Sequence, residues 1–139
     1  MKMNSDDEDD IARSEKLPIY RKGREILDIV SKIADLIPEN NEYLMDIKGW
    51  MLSDAAQLTV KVAGAEAAGL YDLKMENAAI IRKAARDLMV QQHSLESFGF
   101  EYVEYWQMVR DLIEEYRLLF IDWVASKIQK YENLRLTAI

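Results

Sequence analysis

From residue 17 onward, the apolar positions of this chain recur at steps of three and four, the spacing of one face of a helix. Ile19, Gly23, Ile26, Val30, Ile33 and Ile37 form the first stripe. Pro18 suits a first helical turn and Pro38 cannot continue one, so the pattern predicts a helix over residues 19–37. "PENNEYL" then offers turn and cap chemistry, with Asn40 or Asn41 able to accept from the free N–H groups of a second helix over 42–68. Leu44, Ile47, Met51, Ala55, Leu58, Val62 and Ala65 make its core stripe. A second stripe, Trp50, Ser53, Gln57, Val60, Gly64 and Ala67, is only half polar, so this helix is expected to be covered on more than one side.

Gly69 ends the second pattern, and Asp72 is expected to cap a third helix over 73–93, with Glu76 close to the capping-box position. Leu73, Ile80, Ile81, Ala84, Ala85 and Leu88 face inward on it, and Ser94 to Gly99 form the next turn. The fourth helix begins near Phe100 and carries Tyr102, Tyr105, Trp106, Val109, Leu112, Ile113, Tyr116, Leu119, Phe120, Trp123, Val124 and Ile128 at helical spacing. No Pro or Gly stops it, and at about 1.5 Å per residue it outreaches the first helix, so part of it is expected to overhang. Short loops between four amphipathic helices predict an all-α, antiparallel up-down-up-down four-helix bundle over residues 17–131. Residues 1–16, with five consecutive acids, are expected to be a disordered tail, and residues 132–139 a C-terminal tail.

One stretch departs from the pattern. In "VAGAEAAG", residues 62–69, small residues recur four apart and leave a helical surface with almost no relief. A glycine inside a helix costs roughly 1 kcal/mol against alanine, which predicts a backbone packed closely on this stretch. Two readings stand: a tight crossing inside the bundle, or that crossing together with a subunit interface. The expected interface residues are Trp50, Val60, Gly64, Ala67, Ala68, Phe120 and Trp123.

Composition narrows the function classes. The chain has no Cys, hence no disulfide, thiol nucleophile or thiolate metal site. Its N-terminus is acidic rather than basic and then apolar, and no window is apolar enough for a membrane span, so a cytoplasmic protein is expected. Net charge is −7, of which −3 falls in residues 1–16 and −4 in the rest, so nucleic acid would need a local basic patch. Two such clusters exist: Arg21, Lys22 and Arg24 on the first helix, and Arg82, Lys83 and Arg86 on the third. Arg82 and Arg86 lie one turn apart and present two guanidinium forks suited to phosphate or carboxylate; the alternative is pairing with acids such as Asp87 or Glu25.

Catalytic chemistry is harder to find. His93 is the only histidine, and a His-Ser neighbour pair is not a triad. Di-iron bundles need paired Glu-x-x-His motifs, and no Glu stands three before His93. Magnesium-dependent all-α nucleotide pyrophosphohydrolases carry a Glu-Glu-x-x-Glu, but here Glu114 and Glu115 are followed by Leu118. Glu66 is the one charge in the small-residue stretch, and if buried it needs a partner such as Lys61 or an Arg from another helix or subunit. Asp54 sits beside the core stripe of the same helix. No catalytic residue, metal ligand or cofactor is expected.

The order of these features resembles a bacterial four-helix-bundle family described as 23S rRNA intervening-sequence proteins, to which the accessory protein of diversity-generating retroelements is also similar. "IYRKGREILDIVSKIADLIPE" looks like that family's opening helix. "VAGAEAAGLYDLKMEN" falls where the family has an Asn-Ile-Ala-Glu-Gly stretch and a Ser-capped helix, Ala65 and Glu66 matching the Ala-Glu and Asp72 replacing the Ser. The resemblance spans roughly residues 18–130. It implies a homo-oligomer, with cyclic pentamers among relatives, and no catalysis. It also implies RNA or a nucleic-acid enzyme such as a reverse transcriptase as partner, which only Arg21, Lys22, Arg24, Arg82, Lys83 and Arg86 are placed to contact. The reading is therefore a non-enzymatic, homo-oligomeric accessory or scaffold protein. A protein-only helical adaptor using the aromatics of the fourth helix is the alternative, and a nucleotide pyrophosphohydrolase the third.

Overall fold

Pro18 opens the first long helix, α1 (Pro18–Ala34), without any side-chain cap, because its ring already fixes the helical φ and it has no N–H to leave unpaired. In the computed structural model, which describes residue 9 and residues 12–137, every element among the described residues is helical. Asp9 and residues 12–14 are themselves helical, Glu15 and Lys16 form a turn and Ser14 is buried, so order begins before Pro18; residues 1–8, 10 and 11 of the expected tail lie outside the described residues. The helix α1 ends three residues earlier than its apolar pattern, as the N–H groups of Asp35, Leu36 and Ile37 fold back onto Ser31, Ile33 and Ala34. Ile37 still reaches the core from this closing turn.

Of the two candidate asparagines, Asn41 caps α2 (Glu42–Ala67), its side-chain oxygen accepting from the Leu44 N–H at 3.1 Å. The third helix, α3 (Tyr71–Ser97), starts two residues before the predicted position and runs four beyond it. Asp72 is not its cap: Leu70 holds that position with no side-chain bond, and Asp72 lies in the first turn, where its charge favours the helix dipole. The nearby end of α2 is closed by Lys74, whose Nζ donates to the Ala65 carbonyl at 2.9 Å.

Gly99 explains why α3 runs so far. Its φ of +79° allows the Gly99 and Phe100 N–H groups to bond Glu96 and Leu95, a Schellman closure in which Phe100 packs beside fully buried Leu95. A single 3₁₀ turn, Val103–Tyr105, then leads into α4 (Trp106–Thr137), so the last helix starts later and ends later than the periodicity indicates.

The four helices pack in a ring: α1 against α2 and α4, and α3 against α2 and α4. Ile26, Met51, Leu58, Ile81, Leu88, Trp106, Ile113 and Tyr116 fill its centre. Core burial along α4 stops at Lys127. Beyond it the helix overhangs, with Tyr131 stacked on Tyr71 at 4.1 Å and Leu134 and Leu136 exposed. Of the six aromatics predicted along the fourth helix, Trp106, Tyr116 and Trp123 are buried and Phe120 is half-buried, whereas Tyr102 and Tyr105 are exposed. Trp106 donates to the Leu88 carbonyl at 2.9 Å and Tyr116 to the Leu58 carbonyl at 2.8 Å. These bonds let two polar rings enter an apolar centre without stranding a donor.

Candidate functional site

Three places on the bundle gather polar chemistry. The first is built on Glu66, near the C-terminal end of α2. Its Oε1 accepts from Trp123 Nε1 at 2.7 Å and pairs with Lys127 Nζ at 2.5 Å, both reaching across from α4. Lys127 is only 7% exposed, and its ammonium also lies 5.8 Å from the Trp123 ring centroid. Burial pushes the Glu66 carboxyl up, but the bonds from Lys127 and Trp123 outweigh it and the net shift is downward. Burial lowers Lys74, and the neighbouring Lys127 charge lowers it further, against the pull of Glu66. This cluster joins helices: its donors and acceptors already satisfy one another. The partner of Glu66 is Lys127 of α4, not Lys61.

A second group occupies the α2–α3 side, where Trp50, Ser53, Asp54, Lys83, Asp87, Val90, Gln91 and Ser94 line a hollow of about 350 Å³. Asp54 accepts from Gln91 Nε2 at 2.8 Å, and Lys83 pairs with Asp87 at 2.6 Å. Burial raises the Asp54 carboxyl and the Asp87 charge adds to this, opposed by the Gln91 bond and by Lys83. The Oε1 atoms of Gln91 and Gln57 are buried without a hydrogen-bond partner.

The third place is a trough of about 340 Å³ between α3 and α4. Ile81, Ala85, Ile113 and Tyr116 are its buried floor, Met89 and Phe120 its half-buried sides, and Val90 and Ile121 its exposed flanks. Arg82 and Arg86 of α3 and Arg117 of α4 stand on its rim. Arg117 has an exposed pair with Glu114 at 3.2 Å, while Arg82 and Arg86 have no acidic partner among the described residues. The alternative pairing with nearby acids is made by the lysine of each cluster, Lys83 with Asp87 and Lys22 with Glu25.

The two basic clusters are not brought together, because α1 and α3 do not pack side by side. On α1, Arg21 and Arg24 are exposed, whereas Lys22 is held by Glu25 at 2.8 Å and Glu115 at 3.0 Å, which raise its pKa. Sequence reasoning missed Arg117, which joins the α3 arginines only once α4 is packed beside them. Among the expected interface residues, Trp50 is 61% and Val60 59% exposed, Gly64 and Ala67 are exposed, and Ala68 and Phe120 are half-buried. Trp123 is buried within the chain, leaving little of it for another subunit. Leu73, Ile80 and Val90 of α3 are exposed as well, the first two against the inward orientation that their spacing predicts.

Among the described residues no group of three or more His, Cys, Asp or Glu is arranged to hold a metal ion, and no helix is long and apolar enough to cross a membrane. No family model, curated protein or solved structure matches the chain.

Proposed function

We propose that this chain is a non-enzymatic, self-associating scaffold of the cytoplasm, an up-down-up-down four-helix bundle that meets its own copies through the outer α2–α3 face. The observation that carries this reading is the exposed apolar side chains on that face: Trp50 and Val60 from α2, and Leu73, Ile80 and Val90 from α3, all between 41% and 61% exposed. Each Å² of such surface removed from water contributes about 25 cal/mol, and folded monomers rarely leave a large apolar patch uncovered. Gly64 and Ala67 lie on the same helix and add a surface of low relief, which favours close approach of a second chain.

The resemblance to the intervening-sequence family supports a closed ring, with a pentamer as the expected size, and an accessory role towards structured RNA or a nucleic-acid enzyme such as a reverse transcriptase. In a ring, the exposed Arg21 and Arg24 of each copy repeat around the assembly and offset its net acidity. Light scattering of the purified chain at two salt concentrations tests the proposal. A defined oligomer, unchanged by salt, is expected, and Gly64→Leu should reduce it to monomer while the circular dichroism stays helical. A monomeric wild-type chain, or an unchanged oligomer in Gly64→Leu, overturns the reading. RNA binding that falls steeply as salt rises supports the nucleic-acid role.

A further inference from the structure

Of the three polar places, two are matched among their own charged groups, although Gln91 Oε1 in the second is buried without a hydrogen-bond partner. Glu66 is matched by Lys127 and Trp123, and the α2–α3 hollow pairs Lys83 with Asp87 and Gln91 with Asp54. The α3–α4 trough is not: it joins an apolar floor to unpaired positive charge. From this we infer that the trough binds a single-chain amphiphile with an oxyanion head, either a carboxylate or a phosphate.

The floor offers nothing to a polar ligand. Ile81, Ala85 and Ile113 are buried and carry no polar side-chain atom, and the Tyr116 hydroxyl is already bonded to the Leu58 carbonyl. Polar recognition therefore rests on the rim, where Arg82 and Arg86 present two planar forks one turn apart. Guanidinium groups match carboxylate and phosphate geometry with two parallel bonds, which a lysine at the same place does not. Arg117 approaches from the other helix, and its exposed pair with Glu114 is of the kind readily exchanged for a better anion. Three cations around one apolar trough on a chain of net charge −7 repel one another, and an anionic head removes that repulsion.

Size narrows the tail. The lining runs from Ile81 to Val90 on α3, about 14 Å at roughly 1.5 Å per residue. A volume of about 340 Å³ stands at the lower end of ligand pockets, room for one alkyl chain and not for a two-chain lipid. This inference does not depend on the oligomer proposed above.

Isothermal titration calorimetry of the full chain below the micelle concentration tests it. Dodecanoate and dodecyl phosphate are the probes, with dodecyl maltoside as the uncharged head and acetate as the head without a tail. One site per chain is expected for the anionic probes, and the stronger of the two identifies the head. The double variant Arg82→Gln/Arg86→Gln alters only exposed side chains and should weaken the anionic probes at least tenfold with the helical circular dichroism unchanged. No binding to the wild-type chain, equal binding of dodecyl maltoside, or undiminished affinity in the double variant overturns the inference. Two results assign the trough elsewhere and overturn it likewise. One is loss of the oligomer in the double variant with no amphiphile bound by the wild type, which makes a second copy the occupant. The other is RNA binding that needs Arg82 and Arg86 while the amphiphiles do not.

Discussion

Two glycine-bearing places on the bundle behave in opposite ways. At Gly23, alone on the apolar stripe of α1, an added Cβ would lie 2.9 Å from the Leu58 carbonyl oxygen and 3.2 Å from its carbon. At Gly64, in the middle of the small-residue run, the nearest atom would be in the Asn77 side chain at 3.7 Å, an ordinary contact. Backbones meet at the isolated glycine and not at the run. The same Leu58 carbonyl accepts the Tyr116 hydroxyl, so three helices converge on one peptide group. Around residues 62–69 the neighbours arrive as long side chains: Lys74 onto the Ala65 carbonyl, and Trp123 and Lys127 onto Glu66. Side chains missing from α2 make room for side chains of α3 and α4, whereas the side chain missing from α1 makes room for a backbone.

The sharpest break in this comparison is Gly23→Val. Thr59 Cγ2 would stand at 3.1 Å, but the nearest atom, the Leu58 carbonyl oxygen, belongs to the backbone of α2 and cannot rotate aside, so the helices must separate. Overpacking of a well-filled core costs typically 1–3 kcal/mol, and a β-branched side chain at this point should cost about 3 kcal/mol, read from urea unfolding. A stability within a few tenths of a kcal/mol of wild type would mean that α1 and α2 are not held at this distance.

Next in size is Lys127→Met, which tests the side-chain half of the comparison. Removing one partner of a fully buried ion pair costs about 3–5 kcal/mol, but Glu66 keeps part of its surface in water and its Trp123 bond, so about 2 kcal/mol is expected at neutral pH. The pH dependence gives the sign. The folded-state pKa of Glu66 is depressed, so its contribution is complete above the unfolded value of about 4.3 and is lost as pH falls through the lower folded value. The difference between variant and wild type should therefore shrink on acidification. Asp54, whose folded pKa is raised, works in the opposite sense: its stability contribution is present below the unfolded value and lost as pH rises through the folded one. Unfolding curves of both chains at pH 7 and pH 3 separate these effects, and a difference that stays constant with pH argues against the Glu66 pair.

How much of this was legible in the sequence follows from the range of each interaction. The stripes on α1 and α2, the Asn41 cap and the overhang of α4 depend on residues a turn or two apart, and periodicity reads them directly. Gly23 was also visible as the one residue without a side chain on an otherwise bulky stripe, yet the run at 62–69 drew attention by count. The start of α4 was misplaced because Tyr102 and Tyr105 keep helical spacing through a 3₁₀ turn. Leu73 and Ile80 keep the apolar spacing of the inward stripe but stand at its edge and are exposed. Glu66 with Lys127, and Arg117 with Arg82 and Arg86, join positions far apart in the chain, and only the packing of α4 brings them together.

The smallest expected effect has the opposite sign. Gly64→Ala adds a Cβ that meets only the Asn77 side chain at ordinary contact distance, and it removes backbone freedom from the unfolded chain. Within a helix the exchange should stabilise the isolated chain by roughly 0.5–1 kcal/mol, against the destabilisation expected for any side chain at Gly23. Urea unfolding at a dilution where the chain is monomeric measures it. Repeating the measurement at high concentration sharpens the comparison further. If the gain persists, the face around Gly64 accepts a methyl group even when copies are in contact. If it turns into a loss, a second backbone lies on Gly64 in the assembly, and the small-residue run is a close crossing after all, between subunits rather than within one.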